Sequence, residues 1–161
     1  MRLMQANVPL SSDTFERLPL FQGLSAEQMN MLRSLFVPFD CYAGTVLFEQ
    51  GELADHLYML ISGEAVIRYK PEDGEALTIA HIRSGGVVGW SAAIGRRKYT
   101  SGALCTEYTR TLRIRAADLQ VLRQRYPEVS SMILERLARI VAQRSSTHPQ
   151  VVALLNNGLH D

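Results

Sequence analysis

The stretch from Gly85 to Ser101 concentrates the side chains best suited to holding a ligand. It carries the single tryptophan, Trp90, within Gly89-Trp90-Ser91-Ala92, followed by three consecutive cations, Arg96-Arg97-Lys98, beside Gly95. An indole can serve as a stacking platform for an aromatic ring, or it can fill core, where its burial stabilises by a few kcal/mol. The cations can read a phosphate or form a solvated turn. Other chemistry finds little footing. His56, His81, His148 and His160 show no i, i+4 pair and have no cysteine nearby, so no metal or haem site is expected. Cys41 and Cys105 are too few for a metal cluster or a disulfide scaffold. They read as ordinary strand residues in a reducing cytoplasm. There is no nucleophile elbow, zinc-ligand spacing, glycine-rich nucleotide loop or carboxylate pair, and an enzyme is not expected.

The elements around this stretch change period twice. Up to residue 36 the chain reads as a helical brace, with capping-box spacing at Asp13/Glu16 and Ser25/Gln28 and an apolar elbow at Leu18-Pro19-Leu20-Phe21. From 37 to 114, short segments rich in Val, Ile, Phe, Tyr and Thr alternate with glycine-bearing turns: 45–49, 57–61, 64–70, 76–83, 86–89, 99–105 and 109–114. Ala65, Ile67 and Tyr69 oppose Glu64, Arg68 and Lys70, and Leu112 and Ile114 oppose Thr111, Arg113 and Arg115. Asp73-Gly74 marks a tight hairpin with positive φ. Seven or eight such strands without a long helical crossover mean a sandwich, jelly roll or small barrel.

After Ile114 the helical period returns. Leu119, Leu122 and Tyr126 line a short helix that stops near Pro127, and a second helix starts there. Its apolar residues Val129, Met132, Ile133, Leu137, Ile140 and Val141 form one stripe. The expected organisation is one domain built from a brace (1–36), a β region (37–114) and C-terminal helices (115–146), followed by a tail (147–161).

Composition narrows the function classes. With 161 residues a single compact domain is expected, and 17 Lys+Arg against 16 Asp+Glu give a net charge of +1, without the overall basic field of a non-specific nucleic-acid binder. No apolar run reaches the roughly 18 residues of a membrane span, and no signal core opens the chain. Neither membrane nor nucleic acid is an expected partner of this chain alone.

The order brace, Tyr42-Ala43-Gly44-Thr45-Val46-Leu47-Phe48-Glu49-Gln50-Gly51, then Asp55-His56-Leu57-Tyr58-Met59-Leu60-Ile61-Ser62-Gly63 resembles the cyclic nucleotide-binding domain of bacterial Crp/Fnr-type regulators over about residues 18–143. The resemblance implies a mainly β fold, a double-stranded β-helix or jelly roll flanked by N-terminal helices and a C-terminal helical pair. It places a phosphate-binding cassette at Val88, Gly89, Trp90, Ser91 and Ala92, continuing through Lys98, Tyr99, Thr100 and Ser101. Such a cassette binds an anion through backbone N–H groups at a helix start and one arginine. Two departures stand out. Trp90 takes the place of the glutamate that accepts the ribose hydroxyl, and Tyr99 takes the place of the arginine. The Gly-Trp-Ser form resembles a variant subgroup of these domains.

Three functional expectations follow from the resemblance. The first is a regulatory or sensor domain for a cyclic nucleotide or related anionic ligand, signalling through its C-terminal helices and dimerising along 127–144, where Val129 to Val141 would form the seam. The second is the sensor half of a transcription regulator, since the residues after 146 are too few for a helix-turn-helix module. The third is an interaction module whose pocket has filled with Trp90. No cofactor is required by any of them.

Overall fold

Residues 11–144 are described by the structure, a computed structural model. The elements run α1 (Ser12–Arg17), a 3₁₀ turn (Pro19–Phe21), α2 (Ala26–Leu35), β1 (Val37–Cys41), β2 (Val46–Phe48), β3 (His56–Ser62), β4 (Ala65–Tyr69), β5 (Leu77–Ile82) and β6 (Val87–Val88). They continue with α3 (Trp90–Ala93), β7 (Gly102–Cys105), β8 (Thr109–Arg115), α4 (Ala116–Arg125) and α5 (Pro127–Ala142). Two antiparallel four-stranded sheets, ordered β1-β8-β3-β6 and β2-β7-β4-β5, form the roll, as the mainly β reading with flanking helices anticipates. None of the described helices is long and apolar enough to cross a membrane. The expected tail and its two histidines, His148 and His160, lie outside the described residues.

The period of two along β3 divides its side chains between two cores. Tyr58 and Leu60 face the second sheet and join Phe48, Ile67, Tyr99 and Ala103. Leu57 and Met59 face the helices and join Leu20, Phe21, Leu32, Leu122, Ile133 and Leu137. The first sheet is therefore covered on both sides. This changes the reading of β8: Thr111 is fully buried and Arg113 half-buried, because the face opposite Leu112 and Ile114 looks into the roll rather than into solvent.

Local signals survive in part. Ser25 Oγ accepts from Gln28 N–H at 3.1 Å while Gln28 Oε1 accepts from Ser25 N–H at 3.1 Å, completing the expected box on α2. At α1 the cap is Ser11, whose Oγ accepts from Thr14 N–H, and the expected Asp13 lies inside the helix instead. The β4–β5 connection turns without a positive φ at Gly74, so Asp73-Gly74 is not the tight hairpin expected. Strand β1 is an additional edge strand that the periodicity did not mark. Tyr126 is 46% exposed and lies outside the buried face that Leu119 and Leu122 form on α4. Gly63 shows why the β3–β4 turn demands glycine. At φ +91° a Cβ would sit 2.5 Å from both Thr109 Oγ1 and Tyr108 O.

Candidate functional site

The cassette segment leaves β6 at Val88, turns at Gly89 and forms a single helical turn, α3, before returning through 94–101 to β7. Gly89 adopts φ +93°, and a Cβ there would lie 2.6 Å from His56 O and 3.2 Å from Leu57 Cα. The missing side chain thus lets the cassette press directly on β3. The return stretch is held by the 51–54 loop: Tyr99 N–H donates to Glu52 O at 2.9 Å, Gly51 N–H to Tyr99 O at 2.9 Å, and Ala54 N–H to Arg97 O at 2.8 Å. Regular strand pairing begins only at Gly102, later than the expected 99.

The expected site residues separate between the two cores and solvent. Val88 and Ala92 face the inter-sheet core. Trp90, 5% exposed, joins the helix-side core with Leu119, Leu122, Val129 and Ile133. It neither offers a ring to the roll's interior nor fills it; the expectation that it does one or the other is corrected by the turn of α3, which sends its side chain to the opposite side. Ser91 and Ser101 are buried, Thr100 is half-buried, and Arg96, Arg97 and Lys98 are exposed. Lys98 and Tyr99 take opposite sides, as adjacent residues in extended backbone must.

Tyr99 occupies the interior. It is 4% exposed, and its ring stacks on Phe48 with centroids 3.7 Å apart and planes 15° from parallel. Its hydroxyl donates to His56 O at 2.6 Å and accepts from His56 N–H at 3.0 Å. The phenol therefore closes the backbone pairing of β3's first residue. Tyr99→Phe removes both bonds and is expected to cost about 1–3 kcal/mol of unfolding free energy in a urea titration. An unchanged midpoint would mean that water replaces the hydroxyl without loss.

A cavity of about 390 Å³ adjoins this phenol, lined by Leu47, Phe48, Glu52, Leu53, Asp55, His56, Tyr58 and Tyr99. Glu52 is turned away from a free role, its Oε1 accepting from Glu49 N–H at 2.6 Å. Burial, then the nearby Arg113, lowers His56 below the usual imidazole range, leaving it neutral at pH 7. Burial raises the Tyr58 phenol, opposed by a hydrogen bond with Arg113. Arg113 lies with its guanidinium 3.9 Å from the centre of the Phe39 ring, and among the described residues it forms no ion pair. This half-buried cation escaped the sequence reading because it was assigned to β8's polar face. A larger cavity of about 480 Å³, with Val46, Arg68, Lys70, Glu72 and Leu104 in its lining, shares no residue with 88–101.

The C-terminal helices are fastened to the cassette. Arg123 Nη2 on α4 donates to Ala93 O at 3.2 Å, and Arg144, just beyond α5, donates to Val87 O. Arg136 Nη1 donates to Leu20 O at 2.9 Å and Gln22 O at 2.8 Å, tying α5 to the brace. Of the expected dimer stripe, Val129, Ile133, Leu137 and Val141 are buried in the chain's own core. Met132 and Ile140 remain half-buried.

The family model for the cyclic nucleotide-binding domain matches residues 39–126. The cyclic AMP receptor protein of Thermus thermophilus is 28% identical over 121 residues, which are 75% of this chain and 56% of that protein. A CRP-like cAMP-activated global transcriptional regulator of Mycobacterium tuberculosis is 27% identical over 123 residues, 76% of this chain and 55% of the relative. The chain thus spans a little over half the length of these two curated relatives. Among solved structures, the Thermus thermophilus catabolite activator protein superposes with a TM-score of 0.66 at 26% identity, covering 86% of this chain and 63% of that one.

Proposed function

The chain belongs to the cyclic nucleotide-binding domain family, and from that premise we propose a regulatory module that answers a small anionic or nucleotide-like ligand through a non-standard cassette and passes the response to α4 and α5. The observation that carries this reading is the double attachment of the cassette: Trp90 shares the helix-side core with α4 and α5 residues, and Arg123 holds the carbonyl at the end of α3. A displacement of α3 cannot occur without repacking that core. A ligand would act by favouring one of two packings, which requires different affinity for each. The relatives named for cyclic AMP support the ligand class, and the guanidinium of Arg113 beside the cavity offers an anion a partner in place of the missing arginine. The role is regulatory rather than enzymatic, and the compartment is the cytoplasm, in keeping with two free thiols.

Homodimerisation along 127–144 belongs to the same proposal, with a narrower seam than the stripe suggested. Met132 and Ile140, which pack on the margin of the chain's own core and stay half-buried, keep surface to meet a second copy. A specific observation favours the alternative of an interaction module without ligand: the Tyr99 phenol is fully hydrogen-bonded and stacked where a ligand phosphate would need its arginine. A third reading, the sensor half of a longer regulator, draws on the partial coverage of the two relatives, of which the Mycobacterium tuberculosis protein is a transcriptional regulator by name.

One experiment separates the first two readings. The purified chain is titrated with 3′,5′-cyclic AMP, cyclic GMP and their open-chain monophosphates while the emission of Trp90 is followed, and sedimentation is run with and without each. A saturable change in emission with a shift in dimer content supports the ligand-responsive reading. Flat titrations, together with no ligand recovered by native mass spectrometry, leave the interaction module standing and remove the sensor.

A further inference from the structure

We infer that Cys41 and Cys105 constitute an oxidant-responsive site at which a small peroxide converts two thiols into a disulfide stapling the two sheets together. Cys41 ends β1 in the first sheet and Cys105 ends β7 in the second, so the pair bridges the two layers of the roll. Their approach is fixed by the backbone on either side. The chain leaving Cys41 turns over 42–45, where Gly44 N–H donates to Cys105 O at 2.8 Å and Cys105 N–H donates to Thr45 O at 2.9 Å. Cys41 also stands opposite Thr109 in the β1–β8 ladder, and Thr109 opens the strand that follows β7. Within this frame the two thiols hydrogen-bond to each other, both as free cysteines.

Two buried cysteines can simply be small apolar fillers. Fillers have no need to touch, and one small residue on each strand would occupy the space equally well. Here the two thiols face each other across the sheet-to-sheet gap, and the bond at about 2.05 Å forms once that gap closes. Among the described residues no group of three His, Cys, Asp or Glu could hold a metal, which leaves the thiols available for redox chemistry.

The two sulfurs are not equivalent. Cys105 receives the hydrogen bond from Cys41, and this lowers its thiol below the ordinary range against the opposing effect of burial. Cys41, on the giving side and buried, is raised. Cys105 therefore attacks first: its thiolate sulfur takes the terminal oxygen of hydrogen peroxide, the O–O bond breaks, and the departing hydroxide leaves as water after taking a proton. The Cys41 sulfur then attacks the Cys105 sulfenic acid, the S–S bond forms, the S–O bond breaks, and a second water carries away the Cys41 proton. Two thiols are oxidised by two electrons and one peroxide is reduced to two waters. With the cysteines 3% and 0% exposed, entry depends on local opening of the roll end, where the exposed rings of Tyr42 and Tyr108 pack together 5.3 Å apart.

The test uses the full chain treated with hydrogen peroxide, then unfolded, alkylated and weighed intact. The expected product is a monomer lighter by two hydrogens, with neither cysteine alkylated, a peptide linking 41 to 105, and full reversal by dithiothreitol. Cys105→Ser under the same treatment should leave Cys41 alkylatable. If the wild-type chain keeps both thiols alkylatable, carries its oxidation as sulfinic acids, or links only between chains, the inference is overturned; this measurement does not depend on any variant folding.

Discussion

Gly89→Ala should lower the unfolding free energy by about 3–4 kcal/mol, enough to leave a domain of ordinary stability close to unfolding. Two costs add at this residue. The left-handed backbone at φ +93° costs any L side chain about 1–2 kcal/mol. The new methyl would also lie 2.6 Å from the His56 carbonyl oxygen and 3.2 Å from Leu57 Cα, and both are backbone atoms of a paired strand that cannot rotate away. Relief requires α3 to lift off β3, carrying Trp90 out of its packing. Gly51 provides the control, since it has φ +89° but nothing within 4 Å of the place a methyl would take. Gly51→Ala should therefore cost only the conformational part, about 1–2 kcal/mol. Urea unfolding of both variants checks the pair. Equal losses would show that the contact between Gly89 and β3 contributes nothing beyond backbone strain.

The replacement of arginine by Tyr99 makes physical sense in the same region. A guanidinium in this interior without its anion would be a buried, unpaired charge costing several kcal/mol. A phenol needs one donor and one acceptor, and the backbone of His56 supplies both. Its ring adds stacking on Phe48. A tyrosine at this position therefore stabilises the unliganded roll.

The sequence showed the glycine turns and the α5 stripe because each depends on local constraints: positive φ, one helical period, or a change from period 3.6 to period 2, whereas the cassette was placed only by the family resemblance. It could not show which of two cores each face would meet. Alternation along β8 correctly set Arg113 opposite Leu112, but only tertiary structure makes that opposite face the interior of a sandwich. Trp90 failed for the same reason, since a four-residue helix gives no periodicity from which to read its direction. Strand β1 was hidden by Pro38 and Asp40, residues that depress strand signals; Pro38 is tolerated because β1 is an edge, and the fully buried Asp40 because its carboxylate pairs with Arg110 Nε at 3.3 Å. The exposure of Tyr126 follows from its place at the junction of α4 and α5, where the chain leaves the helical path.

Trp90→Ala should cost about 3–5 kcal/mol, the usual range for deleting a buried aromatic side chain and leaving its space unfilled. The loss should be felt unevenly. The indole belongs to the same core as Leu119, Leu122, Val129 and Ile133, whereas the inter-sheet core is assembled from different residues around Phe48, Tyr58 and Tyr99. Amide hydrogen exchange in the variant is therefore expected to quicken across 116–142 while the β4 amides keep their protection. The opposite pattern, with faster exchange in β2 and β7 and quiet C-terminal helices, would place the indole between the sheets. Trp90→Phe should keep the fold with about 1–2 kcal/mol lost, because a smaller ring leaves a smaller space. Trp90→Glu, by contrast, would set an unpaired carboxylate into an apolar core and should prevent folding. The indole is part of the core shared by cassette and helices, so this position accepts a ring for a ring and not a charge.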